Sequence, residues 1–457
     1  MRLTRRQLLA GATAGVLGAG GAYALVDELV GGGPKRPAEG ARRPEQHLLD
    51  GVRVVDSDGV EVLVPPLHHR ILTADVAVDA ADLRDAQREL ERTLRSLESD
   101  YAPTPAGLGV TVAWGLPYFR RLVSEQAKRM LPFDRRALKP VLFDSPPFPS
   151  DPIELVLEQN EVAILLRSDV REHTEDGRKR ILDTKVFRAT SERVGFAGGG
   201  FEGGRSLPKV MAEAAGVPGA DLVPDTSELF LGFTSTQKAG IGPGKIANLE
   251  TLGYVDFGGH DYFVHGTHMH LSHITEDLEA WYLNFDFDER VATAFRPNLS
   301  VRQGTQTVPQ GPKDVSSVAK VRQDYRVSGR IGHSASIQTT SRLDKDVVGP
   351  DGTVYRKGAA VPIRADFNTL DNPFLWSVHA FEVQPTAAAG VHFVVFNPTG
   401  DDFRRNRLAM DGVIPGGRIP FPPRDRNQGF NAVLSTTHRQ NFLVPPRAHR
   451  SFPLAEL

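Results

Sequence analysis

Apolar positions in the first half of the chain alternate between the periods of strands and helices. The run 71–78 predicts a short strand, and the next helix, capped by Asp79 or Asp82, carries leucines on one face. Further along lie a strand (108–114), a helical stretch (119–130), a Pro-rich connector (146–152) and two strand segments within 155–166. Strand, helix and then strands is the order typical of a ferredoxin-like α+β unit.

The second half repeats this rhythm. Residues 262–274 predict a strand, and a helix beginning at Asp277 places four apolar side chains at positions i, i+3, i+4 and i+7. Residues 390–396 form a buried-type strand, and Asp401 or Asp402 caps the helix after it. The sequence therefore predicts an α+β fold of two ferredoxin-like halves, with antiparallel sheets and peripheral helices.

Length and composition agree with that organisation. The 457 residues, 40% hydrophobic and 24% charged, are those of a globular chain with two large halves, which we place at 61–215 and 216–457. A formal net charge of −2 gives no sign of a nucleic-acid-binding protein. The absence of cysteine excludes disulfides, thiolate metal sites and iron–sulfur clusters, so the 14 histidines are the remaining soft ligands.

The N-terminus has the pattern of an export signal. Arg5 and Arg6 precede a weakly apolar, glycine-rich run with a small-x-small sequence at 22–24. We interpret residues 1–30 as a twin-arginine signal peptide and 31–60 as a flexible linker, so that the export machinery is a partner and the destination is periplasmic, cell-surface or extracellular. An uncleaved membrane anchor is the alternative, which the many glycines disfavour.

Seven segments, in order over residues 65–415, carry a family resemblance. They are 108–116, 142–153, 226–233, 266–281, 329–342, 363–366 and 391–396. Together they resemble the dye-decolourising haem peroxidases, with 226–233 at that family's GxxDG acid loop, 329–342 at its proximal-histidine segment and 363–366 at its distal-arginine segment. The resemblance implies a fold of the dimeric α+β barrel type and one haem b per chain, held in the second half.

The resemblance also implies roles for individual residues. His333 would be the iron ligand and Arg364 the distal cation, also in contact with the cofactor. A peroxidase needs a neutral imidazole on iron, and a positive charge to stabilise the charge that develops as the peroxide O–O bond splits. Hydrogen peroxide and an organic donor would then be the substrates.

One position departs from the family pattern. Ser235 stands where the family carries its distal aspartate, and loss of a positioned acid–base group costs about 10²–10⁴-fold in rate. Asp366, two residues after Arg364, and Asp225 are the carboxylates nearby in the sequence that can replace the aspartate. Ser235, Arg364 and Asp366 are therefore the candidate catalytic residues. The loop 238–245 and the insertion 344–362 depart from the family as well.

A dense histidine cluster follows the acid loop. It comprises His260, His265, His268, His270 and His273. In a strand His268 and His270 share one face and His273 lies on the other, so a metal site needs a third ligand from elsewhere. A polar strand face is the alternative.

Three functions remain open at this point. The first is an exported haem-dependent oxidoreductase that uses hydrogen peroxide to oxidise an organic donor. The second is an exported haem- or metal-binding protein on the same fold with weak or no turnover, which Ser235 favours. The third is a structural protein without a cofactor. The oligomeric state is also open, a homo-oligomer included.

Overall fold

The computed structural model describes most of the chain after its first forty residues. The described residues are 23, 43–57, 60–135, 137–198, 206–233, 262–305, 316–343, 345–348, 354–372 and 387–457. Within them the fold is α+β, as predicted. Arg5, Arg6, Ser235 and His260 lie outside the described residues.

The first half contains one long helix, several short helices and the first set of strands. Its elements are β1 Arg53–Ser57, β2 Val60–Val64, β3 His68–Val76, α1 Leu83–Asp100, β4 Gly109–Gly115, α2 Leu116–Arg121, α3 Ser124–Met130, β5 Phe133–Asp134, β6 Lys139–Pro140, β7 Val156–Leu157, β8 Val162–Ser168, α4 Arg171–Asp183 and β9 Phe187–Phe196. On α1 the buried residues recur every three or four positions, from Leu83 to Leu97, which is the spacing that one helix face requires.

The second half carries more helices around its strands. Its elements are α5 Leu207–Ala214, β10 Thr267–Glu276, α6 Leu278–Asn284, α7 Phe287–Ala294, α8 Val318–Ser328, α9 His333–Ser341, β11 Val347–Val348, β12 Val354–Tyr355, β13 Ile363–Arg364, β14 Phe367–Thr369, β15 Gly390–Asn397, α10 Gly400–Met410, β16 Val413–Ile414, β17 Gly417–Arg418 and β18 Leu434–Val444. The helix predicted to be capped by Asp401 or Asp402 begins earlier, because the Thr399 side chain accepts the hydrogen bond from the Asp402 amide.

The two halves share one closed sheet. Within the first half the strand order is β9-β3-β8-β4, and within the second it is β14-β15-β10-β18, so each half places its first and third strands at the centre. The halves join where β14 pairs with β9 and where β18 pairs with β4. Because β10 pairs with both β15 and β18, the strands close into a barrel.

Alternation along the strands separates the barrel interior from its outer face. Met269, Leu271, Val394 and Phe396 belong to one buried cluster that fills the interior. Their neighbours in sequence point outwards, where helices cover the sheet. In the second half, α7, α9 and α10 line a cavity on this outer face.

Part of the stretch predicted as a linker packs on the body instead. Gln46 is buried, with its amide donating to Val112 O at 3.0 Å and Pro445 O at 2.8 Å. These hydrogen bonds hold residues 43–50 against the barrel. The low content of apolar residues predicts a flexible linker over 31–60, and this part of it is not one. No helix among the described residues has the length and apolarity needed to cross a membrane.

Candidate functional site

A cavity of about 300 Å³ lies between the outer face of the second half's sheet and its helices. The sheet contributes alternate residues of β10 and β15, such as Ser272, Ile274 and Phe393, while α9 and α10 form the opposite wall. His333, Arg364 and Asp366 all line this cavity. Three residues predicted to belong to one site are thus brought together, on two different walls.

Glycines fix the position of His333 at the start of α9. Gly329 ends α8 with a φ of 68°, and a Cβ on Gly332 would lie 2.1 Å from Phe295 O. A side chain at Gly332 would therefore push α9 away from the segment carrying Phe295. The two glycines let the chain turn tightly and present His333 as the first residue of the helix.

The His333 imidazole is placed to act as a ligand. Its Nδ1 is buried and has no hydrogen-bond partner in the part of the chain that the structure describes, and its ring centroid lies 4.6 Å from that of Phe430. Burial, followed by the positive charges of Arg364 and Arg407, lowers the pKa of His333 to about 3. The ring is neutral at physiological pH, so it offers a lone pair to a metal ion.

Arg364 and Asp366 form an ion pair on the sheet wall. The Arg364 Nε and Nη2 atoms donate to the two Asp366 carboxylate oxygens at 3.0 and 2.5 Å. The guanidinium carbon also lies 5.9 Å from the Phe393 ring centroid. A two-point hydrogen bond of this kind fixes the orientation of the cation in the cavity.

A buried ionic network underlies the same cavity and was not predicted. Arg439 on β18 donates from Nη1 and Nη2 to Asp151 at 2.6 and 2.7 Å, and Arg407 on α10 donates to Asp151 at 3.1 Å and to Asp411 at 2.9 Å. Although burial raises the pKa of Asp151, the hydrogen bond from Arg439 and both positive charges bring it below its ordinary value. The network connects Asp151 of the Pro-rich connector with two arginines that line the cavity. These residues are far apart in the sequence, and no local pattern predicts that they pair.

Replacing Asp151 with asparagine should destabilise the fold by about 3–5 kcal/mol, because two buried guanidinium groups lose their shared anion. Denaturant unfolding of the purified variant measures this loss. Asp144→Asn is the matched control, since the Asp144 side chain is 45% exposed and pairs with Arg120, whose side chain is 58% exposed. The control should lose no more than about 1 kcal/mol. Equal losses in the two variants would contradict a structural role for the network.

The other sequence predictions have different outcomes. Asp225 does not reach the cavity: its side chain is 85% exposed and binds Lys209 Nζ at 2.7 Å, so it does not replace the missing acid. His268 and His270 do lie on one strand face and His273 on the other, packed against His392. Across the described ranges no group of three or more His, Asp or Glu residues is arranged to hold a metal ion.

Glu276 at the end of β10 is a cavity residue that the sequence prediction missed. The predicted strand ended at residue 274, whereas the observed strand continues to Glu276. The signal that could have found it is the strand period, because Ser272, Ile274 and Glu276 occupy every second position of β10 and line the same cavity.

Several polar atoms that line the cavity lack a hydrogen-bond partner among the described residues, as do other buried atoms elsewhere in the fold. Besides His333 Nδ1, the buried atoms without a hydrogen-bond partner among described residues include Arg342 Nε, Asn406 Oδ1 and both side-chain polar atoms of Asn397. Buried polar groups are almost always hydrogen-bonded, so such a cluster is typical of a site that receives a ligand. A neutral imidazole, an unpaired guanidinium N–H and aromatic walls fit a flat, apolar cofactor with carboxylate substituents.

Comparisons with known proteins support the fold. A structure of DtpA from Streptomyces lividans, titled as an X-ray generated oxyferrous complex, is 16% identical, covers 88% of this chain and 94% of its own, and gives a TM-score of 0.50. A haem complex of a DypB variant from Rhodococcus jostii RHA1 is 13% identical over 85% of this chain and 96% of its own, with a TM-score of 0.49. The encapsulated DyP-type peroxidase from Mycobacterium smegmatis is 12% identical over 85% and 95%, with a TM-score of 0.47.

At 16% identity the likeness to DtpA concerns the fold alone. No curated protein sequence matches the chain. A family profile does match, from residue 66 to residue 446. This span includes every strand of the barrel. The chain therefore belongs to the family described as "Family of unknown function (DUF7405)".

Proposed function

We propose that the chain is an exported peroxidase-like oxidoreductase that binds one haem b in the cavity, with His333 as the iron ligand. The observation that carries the proposal is the placement of a neutral imidazole, whose Nδ1 has no partner among the described residues, on the helical wall and of Arg364 on the sheet wall of one cavity. Aromatic side chains suit the porphyrin faces, and Arg342, whose Nε–H has no partner within the described ranges, suits a propionate.

The residues of the cavity have distinct tasks in this proposal. Haem supplies redox chemistry with hydrogen peroxide when it is bound. His333 holds the cofactor through a ring that needs no deprotonation, because its pKa is already far below neutral. Arg364 offers a permanent positive charge toward peroxide, and its pairing with Asp366 keeps that charge in a fixed position.

A second candidate is a haem-binding protein with weak turnover. His333 Nδ1 lacks a carboxylate or carbonyl partner within the described ranges, and such a partner normally increases the donor strength of the ligand. Ser235 in the place of the family's acid favours the same alternative.

Peroxide-dependent oxidation of an added dye or phenol by the haem-reconstituted protein distinguishes the two candidates. We expect an oxidising activity that requires both haem and peroxide. The activity should elute together with the protein in gel filtration. Tight haem binding with oxidation no faster than that by free haem would leave only the binding function.

The export prediction has its own test. Changing Arg5 and Arg6 together to lysine should leave the protein in the cytoplasm, because the twin-arginine receptor reads that pair. Cell fractionation with immunoblotting measures the distribution, and Arg2→Lys is the control that should export normally. Export of the double variant at the wild-type level would show that another route is used.

A further inference from the structure

The strand end that carries Glu276 brings a third ionisable side chain to the sheet wall. Glu276 follows Ser272 and Ile274 along the cavity-facing side of β10, and its amide donates to Ala389 O at 2.9 Å. Its backbone is therefore held in the barrel while its side chain lines the cavity that also contains Arg364 and Asp366.

The surroundings of the Glu276 carboxyl group disfavour a negative charge. Its Oε2 is buried and has no hydrogen-bond partner among the residues that the structure describes. Burial and the nearby charge of Asp366 raise the pKa of Glu276 to about 8, so the group holds a proton at neutral pH. Asp366 itself is engaged by two hydrogen bonds from Arg364 and is not available as a proton carrier.

The phenol of Tyr282 on α6 is a further ionisable neighbour of Glu276. Its hydroxyl donates to Phe230 O at 2.7 Å, and burial raises its pKa above the ordinary value, so it stays neutral. The Arg290 guanidinium carbon lies 5.1 Å from the centroid of the Tyr282 ring. His333 and Arg342 face the cavity from the helical wall. None of these groups forms an ion pair with Glu276 within the described ranges.

We propose that Glu276 is the acid–base residue of the cavity and takes the role that the GxxDG aspartate has in the resembling family. The proposal rests on the proposed function. Glu276 gives its proton to the outer peroxide oxygen, which leaves as water, and the resulting carboxylate takes up the proton of the inner oxygen. Haem, when bound, would supply the two electrons that cleavage of the O–O bond requires.

The first test needs no haem. Infrared spectra of the haem-free protein should show a protonated carboxyl band at neutral pH that disappears as the pH rises through about 8. Glu276→Gln, which keeps the size of the side chain, should abolish the band. Asp366→Asn should keep it and move its titration to lower pH, because a negative neighbour is removed. A wild-type spectrum without a Glu276-dependent band at neutral pH would overturn the proposal.

The second test uses the haem-loaded protein. Glu276→Gln should bind haem as the wild type does but react with hydrogen peroxide about 10²–10⁴-fold more slowly in stopped-flow mixing. Glu276→Asp, which retains a carboxyl group, should recover part of the rate. If the wild type binds no haem, the proposed function fails whatever the rates. If haem binds and Glu276→Gln reacts as fast as the wild type while Ser235→Ala is slow, the proposed function stands and Glu276 is not the acid.

Discussion

Replacing His333 with alanine should abolish stoichiometric haem binding while the chain stays folded. In the proposed function the neutral His333 imidazole is the iron ligand, so its removal takes away the axial bond to haem b. His333 Nδ1 has no hydrogen-bond partner in the described part of the chain, so removing the ring breaks no hydrogen bond to that atom there. Absorption spectra after reconstitution measure the bound haem, and circular dichroism checks the fold.

One further variant and one added ligand make this result specific. His449→Ala removes a histidine that lies away from the cavity, stacked on Tyr262 with ring centroids 3.8 Å apart, and should bind haem normally. Added imidazole should restore a histidine-like spectrum to His333→Ala, because the truncated side chain leaves room for the free ring. Full haem content with an unchanged ligation spectrum in His333→Ala would show that another residue holds the iron.

Replacing Arg364 with leucine should slow the reaction with hydrogen peroxide by about 10²–10³-fold, the range observed when one preorganised donor is removed from an active site. The leucine also releases Asp366 from its two hydrogen bonds and leaves its carboxylate without a positive partner in the cavity wall. Stopped-flow absorption of the haem-loaded variant after mixing with peroxide gives the rate.

Arg364→Lys separates charge from geometry. Lysine keeps the positive charge but cannot make the two-point hydrogen bond to Asp366, so an intermediate rate is expected. Equal haem content in all three proteins is the necessary control. A leucine variant that reacts at the wild-type rate would remove Arg364 from the chemistry and favour a binding protein.

The local elements of the fold could be predicted because their patterns are local. The leucines of α1 and the apolar run of β15 show their periods within a few residues, and both elements lie where the sequence placed them. The closure of the barrel could not be predicted in the same way. It depends on β18 pairing with both β10 and β4, and no pattern within one strand specifies partners so far apart in sequence.

The candidate site likewise contains residues that the sequence predicts and residues that it does not. His333, Arg364 and Asp366 were found through short segments with a family resemblance, and the structure brings them to one cavity. Glu276 was missed because the prediction ended β10 two residues early. Asp225 was proposed from its nearness in sequence to the acid loop, but its carboxylate turns outward to Lys209.

Titration of the purified, haem-free protein with haem, followed by its Soret absorption, tests the central claim most directly. We predict a saturable shift of the Soret band that ends at one haem per chain and shows a histidine-ligated spectrum. A featureless rise with added haem, the same in wild type and in His333→Ala, would contradict a haem site in this cavity.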